Sequence, residues 1–183
     1  MIVQVLTAPN DELPECHNKT IFLAGGITNC PLWQEKVIKE LEGLAPLNDH
    51  VTVFNPRRTD FSFDGTHEVL LYDVYKQIKW EFDRLEQMDI FSMYFCDADS
   101  VQPICLYELG RNIVRMQNRF PNDWKDRIVI SIEPGYKRKD DVLFQMELCA
   151  PGLFIDTDGC PEKHAYNIKN AYVKLSYYGG WRG

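Results

Sequence analysis

The sequence predicts an α/β domain in which a parallel sheet is covered by helices on both faces. Short apolar runs alternate along the chain with stretches of helical periodicity, which is the pattern of parallel strands joined by helical crossovers. The length of 183 residues suits one domain with a full core, spanning 1–183. In addition, polar clusters repeatedly follow the predicted strands.

The predicted strands are short apolar segments. Residues 2–7 alternate in the way of an edge strand, whereas 89–95 is a mostly apolar and aromatic run that indicates a buried strand. The other strands are predicted at 20–24, 51–54, 127–132 and 153–156.

The predicted helices lie between these strands. Over 73–88, Val74, Ile78, Phe82 and Leu85 form one apolar stripe, with Asp73 as the N-cap. Further helices are predicted at 31–44, from residue 103 onward, at 141–149 and at 161–175. Five strand–helix units predict a doubly wound, five-stranded parallel sheet of flavodoxin-like order with right-handed crossovers.

Charge and composition narrow the class of protein. A formal net charge of −7 argues against a general nucleic-acid binder, and no apolar run approaches the ~20 residues that cross a bilayer. The first apolar run is short and lacks a basic start, so no signal peptide is predicted. Six cysteines without CxxC spacing favour free thiols in a reducing cytoplasm, rather than zinc ligands or disulfides.

Candidate binding residues follow two of the strands. Gly25 and Gly26 allow a sharp turn and a close approach of the backbone to a ligand, although a bare turn needs no ligand. Their spacing is not GxGxxG, so a dinucleotide fingerprint is absent. Arg57 and Arg58 could hold a phosphate or a carboxylate, or could pair with carboxylates such as Asp60.

Glu108 lies just beyond the buried strand 89–95, in the helix that begins near Pro103, where open α/β sheets place their reactive groups. Helical periodicity alone favours a solvated Glu108 paired with a neighbour such as Arg111. Glu81 also lies off the apolar stripe of its helix and is, by itself, a surface residue. Periodicity therefore leaves the role of both carboxylates open.

Five short motifs occur in order between residues 20 and 146. They are 21–29 with Trp33, 55–58, 77–81, Pro103-Ile104 with 107–110, and the Asp141-Val142 step after Pro134. Together they resemble the nucleoside 2-deoxyribosyltransferase-like family. The resemblance implies a doubly wound enzyme that acts on the N-glycosidic bond of a nucleoside or nucleotide. It also implies assembly as a homodimer or larger homo-oligomer, and chemistry that requires no metal or organic cofactor.

The resemblance assigns roles to particular residues. Glu108 matches the family's nucleophile, which forms a glycosyl ester, and Glu81 matches a second carboxylate that assists departure of the base. The expected reaction is transfer of the sugar from one nucleobase to another. One alternative is hydrolysis of a nucleoside 5′-monophosphate, with Arg57 and Arg58, or Thr28, on the phosphate. Another is a nucleotide-binding module without catalysis.

Three positions depart from the family's pattern. Phe22 stands where the transferases carry a tyrosine, and Gln102 stands where they carry an aspartate. Asp141 aligns near an asparagine that they lend from a neighbouring subunit. The substrate-binding residues expected on these grounds are Gly25, Gly26, Thr28, Arg57, Arg58, Gln102 and Asp141.

The sequence also leads to predictions for one long loop and for the tail of the chain. The polar, aromatic-rich loop 59–71 is long enough to form a lid over a site. The aromatic, glycine-rich tail 177–183 is expected either to pack on a neighbouring molecule or to lie loose.

Overall fold

The computed structural model describes residues 2–9, 12, 14–15, 18–43, 50–58 and 71–178, which form an α/β domain. The strands are β1 (Ile2–Thr7), β2 (Lys19–Gly25), β3 (His50–Asn55), β4 (Ile90–Phe95), β5 (Ile128–Ile132) and β6 (Ile155–Asp156). The helices are α1 (Trp33–Gly43), α2 (Leu71–Gln87), α3 (Pro103–Arg119), α4 (Lys139–Cys149) and α5 (Pro161–Tyr178), and a 3₁₀ turn covers Trp124–Arg127.

Six parallel strands form the sheet of the described residues, in the order β1-β3-β2-β4-β5-β6. The predicted count of five is therefore wrong. Taken without β1, the order of β2 to β6 is the flavodoxin-like order that was predicted. The additional strand, β1, pairs with β3 at the edge of the sheet, which confirms its predicted edge position. The count of five strand–helix units did not include β1, because the connection that follows it, residues 8–18, carries no helical periodicity.

Several helix boundaries differ from the prediction by about one turn or less. The second helix, α2, begins at Leu71, so Asp73 lies within its first turn and is not the N-cap. A carboxylate in that turn still interacts favourably with the helix dipole. Residues 59–70 of the predicted lid and 179–183 of the aromatic tail lie outside the described residues.

Apolar side chains form one cluster on each face of the sheet, so helices cover both faces as predicted. Alternate residues of β4 point to opposite faces: Phe91 and Met93 belong to the cluster beneath α2, α3 and α4. Ile90 and Tyr94 belong to the cluster beneath α1 and α5. None of the described helices is long and apolar enough to cross a membrane.

The strand order creates a crevice beside β2. The chain leaves β2 for β3 on one side and then returns to β4 on the other side. Connections that depart from neighbouring strands in opposite directions separate at the carboxyl edge of the sheet, and ligands of doubly wound proteins bind at this switch point. The loops after β2 and β4 therefore flank the expected position of a site.

Candidate active site

A cavity of about 200 Å³ lies at this switch point. The end of β2, the end of β3, the middle of α2 and the start of α3 supply its described walls. The predicted site residues that line it are Gly25, Gly26, Thr28, Arg58, Glu81, Gln102 and Glu108. The structure thus brings together residues that are far apart in the sequence.

The Gly25-Gly26 pair is required by the close packing of the cavity wall. Gly25 has a φ of +151°, and a Cβ atom at this position would lie 2.5 Å from the indole ring of Trp33. A Cβ atom on Gly26 would lie 2.7 Å from the side-chain oxygen of Gln102. The indole nitrogen of Trp33 donates a hydrogen bond of 2.8 Å to the Gly26 carbonyl. Together these contacts exclude a side chain at either glycine.

Arg57, which was predicted to bind ligand, lies outside the described lining of the cavity. Its guanidinium donates hydrogen bonds to the carbonyls of Ile27 (2.8 Å), Cys30 (2.7 Å) and Pro31, and to the side chain of Gln34 at 2.9 Å. These donors connect the end of β3 to the loop between β2 and α1. The guanidinium is therefore occupied by the protein's own acceptors.

Asp141 also lies outside the described lining of the cavity. It is an exposed residue in the first turn of α4, and its carboxylate pairs with Arg138 at 2.8 Å. The position of Asp141 follows from the strand order, because α4 follows β5 rather than either strand at the switch point.

Gln102 turns the chain from β4 into α3. It has left-handed backbone angles (φ 49°, ψ 56°) at the N-cap position. Its side chain is 4% exposed and donates a hydrogen bond of 2.8 Å to the carbonyl of Cys96. Its backbone N–H donates to the hydroxyl of Ser100 at 3.1 Å. These contacts place the first turns of α3, including Glu108, against the cavity.

Sequence reasoning missed Gln77, which lines the cavity beside Glu81 on α2. The side-chain nitrogen of Gln77 donates to Glu81 Oε1 at 2.6 Å and to the carbonyl of Pro56 at 2.8 Å. Its spacing of four residues from Glu81 is the signal that could have identified it, because residues at this spacing share a helix face. Gln77 thus fixes the orientation of the Glu81 carboxylate.

Glu108 and Glu81 are half-buried in the cavity wall, and burial governs their ionisation. Burial and then the negative charge of Glu81 raise the pKa of Glu108 to about 8, with partial opposition from Arg111. Burial likewise raises the pKa of Glu81, against the hydrogen bond from Gln77. The carboxyl of Glu108 is therefore mainly protonated at neutral pH.

Helical periodicity favours a solvated ion pair between Glu108 and Arg111, but Arg111 has other partners in the structure. Its guanidinium lies 3.2 Å from Glu86 and stacks over the ring of Phe82 at 4.1 Å. Glu108 faces the cavity beside Glu81 instead. The arrangement provides two neighbouring carboxyl groups with raised pKa values, which is typical of acid–base and nucleophilic sites.

Cys105 is a second lining residue that the sequence analysis did not select. Burial is the main cause that raises the pKa of its thiol, so the group is protonated at neutral pH and is not a nucleophile. The described cysteines are free thiols, as predicted, and Cys16 lies outside the described residues.

The fold and the cavity define a doubly wound α/β domain with paired carboxyl groups at its switch point. A family model described as nucleoside 2-deoxyribosyltransferase like matches residues 18–120, from the connection before β2 to the end of α3. The chain belongs to this family. The matched segment contains every described residue that lines the cavity. No curated protein matches the chain.

Proposed function

We propose that this protein cleaves the N-glycosidic bond of a (deoxy)nucleoside and transfers the sugar to another nucleobase. The observation that carries this proposal is the meeting of Glu81 and Glu108 in one cavity at the switch point. Glycosyl transfer by double displacement requires two carboxyl groups at one anomeric carbon. Membership of the family supports the same class of substrate.

In the first step, the Glu108 carboxylate attacks C1′ and forms a glycosyl ester. The C1′–N bond breaks, its electron pair passes to the base, and Glu81 in its acid form protonates the leaving nitrogen. This step requires that the two carboxyl groups carry one proton between them and that this proton is on Glu81. Positive charge that develops on the sugar in the transition state stabilises the ionised form of Glu108 beside it.

In the second step, a nitrogen of the acceptor base attacks C1′ and the ester bond breaks. Glu81, now a carboxylate, takes the proton that the incoming base loses, and Glu108 returns to its carboxylate form. The hydrogen bond from Gln77 to Glu81 Oε1 keeps this second carboxylate in a fixed position through both steps. The sugar leaves with the anomeric configuration in which it arrived.

The remaining lining residues bind the substrate in this proposal. Gly25 and Gly26 let the backbone approach the ligand, and Thr28 and Arg58 contribute polar groups to the wall. Asp141, exposed on α4, would reach a substrate only in a neighbouring copy of the chain. A homo-oligomer is therefore part of the proposal.

A second candidate is hydrolysis of a nucleoside 5′-monophosphate. The presence of Arg58 and Thr28 in the cavity wall favours it, because both residue types bind phosphate. Arg57, whose donors are used by backbone carbonyls, would not contribute. A binding module without catalysis is less well supported, since such a module needs neither carboxyl group.

Incubation with 2′-deoxynucleosides and 5′-monophosphates, with and without a second base, tests these candidates by chromatography. Transfer predicts a new nucleoside that forms only when the second base is present. Hydrolysis predicts free base and sugar in both conditions. The absence of any cleavage would contradict both enzymatic proposals.

A further inference from the structure

Cys30 and Cys96 bring two thiols together at the carboxyl edge of the sheet. Cys30 lies in the loop between β2 and α1, and Cys96 directly follows β4. These strands are parallel neighbours, with Gly25 in register with Tyr94. The two thiols are hydrogen-bonded to each other, and Cys30 packs against the apolar cluster that contains Cys96. The proposed reaction uses neither thiol.

Backbone contacts hold both cysteines in this arrangement. The N–H of Cys30 donates to the carbonyl of Ile27 at 3.2 Å, so the loop turns back on itself. The guanidinium of Arg57 donates to the carbonyl of Cys30 at 2.7 Å. The side chain of Gln102 donates to the carbonyl of Cys96 at 2.8 Å. Hydrogen bonds therefore anchor the backbone on both sides of the thiol pair.

The surroundings of the two thiols differ. Cys96 is fully buried, whereas Cys30 is partly exposed. Their hydrogen bond is the main cause that lowers the pKa of Cys30 and the main cause that raises the pKa of Cys96, so the Cys96 thiol is the donor. The charge of Arg57 also lowers the pKa of Cys30, against burial and Glu133. A partly exposed thiol of this kind is the one that oxidants attack first.

We propose that Cys30 and Cys96 are a modification site, at which a hydroperoxide converts the thiol pair into a reversible disulfide. The sulfur of Cys30 attacks one peroxide oxygen, the O–O bond breaks, and the thiol proton leaves with the alcohol or water that is released. The sulfur of Cys96 then attacks the sulfur of the Cys30 sulfenic acid. The S–O bond breaks, and the hydroxyl leaves as water with the proton of Cys96.

The electrons balance in this sequence, because the hydroperoxide is reduced while the thiol pair is oxidised to one disulfide. A dithiol reductant restores both thiols by exchange. Reducing compartments permit disulfides of this transient, redox-responsive kind. The modification requires only the two cysteines and the peroxide, so it does not depend on the proposed function.

The disulfide acts on the wall of the candidate site. A Cβ atom on Gly26 would lie 2.4 Å from the sulfur of Cys30, so this sulfur packs directly against a residue that lines the cavity. A disulfide brings its sulfur atoms to about 2.05 Å from each other. Its formation therefore ties the loop between β2 and α1, which carries Thr28 of the cavity wall, to the end of β4.

Peptide mapping tests the pairing. The full chain is treated with hydrogen peroxide, its remaining thiols are alkylated, and its peptides are analysed by mass spectrometry without reduction. We expect a cross-linked peptide that joins Cys30 to Cys96 and that dithiothreitol removes. Cys30→Ala and Cys96→Ala should not form it. Cys149→Ala is the matched control: Cys149 is exposed at the end of α4, and this variant should form the cross-link as the wild type does.

Alkylation by iodoacetamide across a range of pH tests the hydrogen bond between the thiols. Cys96→Ala removes the donor, so the midpoint for alkylation of Cys30 should rise by about one pH unit. The midpoint of Cys149 should stay the same in both proteins. An unchanged midpoint of Cys30 would contradict the assigned donor.

Amide hydrogen exchange tests the effect on the cavity wall. Exchange in the loop between β2 and α1 should slow in the oxidised protein and recover after reduction, because the disulfide restricts local opening. Unchanged exchange would overturn the effect on the wall.

The proposal is overturned if Cys30 stays reduced at peroxide doses that oxidise Cys149, or if Cys30 is oxidised without a link to Cys96. The peptide map of the wild type decides between these outcomes even if Cys96→Ala fails to fold. The map reads the disulfide directly, so a protein that cleaves no nucleoside can still confirm this inference.

Discussion

At the residue scale, the site is defined by the environment of Glu108. Its side chain lies in the cavity wall beside Glu81, and burial outweighs the attraction of Arg111 in setting its pKa at about 8. Arg111 contacts Glu86 and Phe82. In the proposed reaction, the same burial that makes ionisation of Glu108 costly would strengthen its interaction with a positively charged transition state.

Glu108→Ala is expected to abolish turnover while leaving the fold and ligand affinity nearly unchanged. It removes the proposed nucleophile without touching the main apolar clusters, and loss of a covalent nucleophile has cost about 10⁶-fold in rate in other enzymes. A 2-fluoro sugar substrate should leave its sugar on Glu108 of the wild type, as detected by mass spectrometry of peptides.

Glu81→Gln provides a comparison for Glu108→Ala, because its loss of activity should be smaller. Removal of a general acid or base typically costs about 10²- to 10⁴-fold, so the Glu81 variant should retain more activity than Glu108→Ala. Full activity of Glu108→Ala, or a label on a different residue, would refute the assignment of the nucleophile.

Ionisation of Glu108 should make folding stability depend on pH. Its pKa in the folded protein, about 8, lies above the ordinary value of 4.5. The folded state therefore holds a proton that the unfolded chain releases between these values. The resulting stability is fully present below pH 4.5 and is lost as the pH rises through 8.

Glu108→Gln removes this dependence, because an amide does not ionise. Between pH 5 and pH 9, the difference in free energy of unfolding between the variant and the wild type should change in favour of the variant by at least about 1 kcal/mol. This change corresponds to ~2–4 °C in Tm. Thermal melts across this range measure the difference. Wild-type and variant curves that stay parallel would show that Glu108 titrates near its ordinary pKa.

At the element scale, Arg57 holds together the loops that shape the cavity. Its guanidinium joins the end of β3 to the loop between β2 and α1 through carbonyls of that loop. Gly25 and Gly26 then allow Trp33 and Gln102 to pack against the end of β2. The cavity wall thus depends on contacts between elements rather than on any one loop.

Arg57→Met should therefore lower the free energy of unfolding by about 2–4 kcal/mol, because it leaves several acceptors of one loop without their donor. Arg138→Met is the matched control: Arg138 forms an exposed ion pair with Asp141, and its loss should cost less than about 1 kcal/mol. Urea denaturation measures both variants. Equal stability of the two would show that Arg57 contributes little to the loop.

At the scale of the whole molecule, α2 and α3 present exposed apolar side chains next to the cavity. Ile78 on α2 is 56% exposed, and Ile104 and Tyr107 on α3 are 64% and 67% exposed. Ile104 also lines the cavity. Exposed apolar side chains are common at interfaces between molecules.

We expect the protein to form a homo-oligomer through this surface. Light scattering at micromolar concentration should give a mass that is a multiple of 21.4 kDa. Tyr107→Glu should reduce the mass to that of the monomer, whereas Tyr166→Glu, on α5 at the opposite face of the sheet, should not. A monomeric wild type would contradict this expectation.

Much of the fold and site could be predicted because parallel strands impose a simple rule. Each polar cluster that follows a strand comes to the same edge of the sheet, so Gly26, Glu108 and Arg58 could be placed together before their contacts were known. Glu81 needed the family resemblance, since helical periodicity describes it as a surface residue.

The doubly wound architecture, the order of β2 to β6 and the position of Glu108 just beyond a buried strand follow from the sequence. Local patterns suffice for these features, because apolar periodicity and strand ends are properties of neighbouring residues. Only the folded structure shows that Arg57 donates hydrogen bonds to the loop between β2 and α1 and that Gln77 donates one to Glu81. It also shows that the pKa of Glu108 is raised. Hydrogen-bond partners and desolvation depend on groups distant in sequence, which only the folded chain brings into contact.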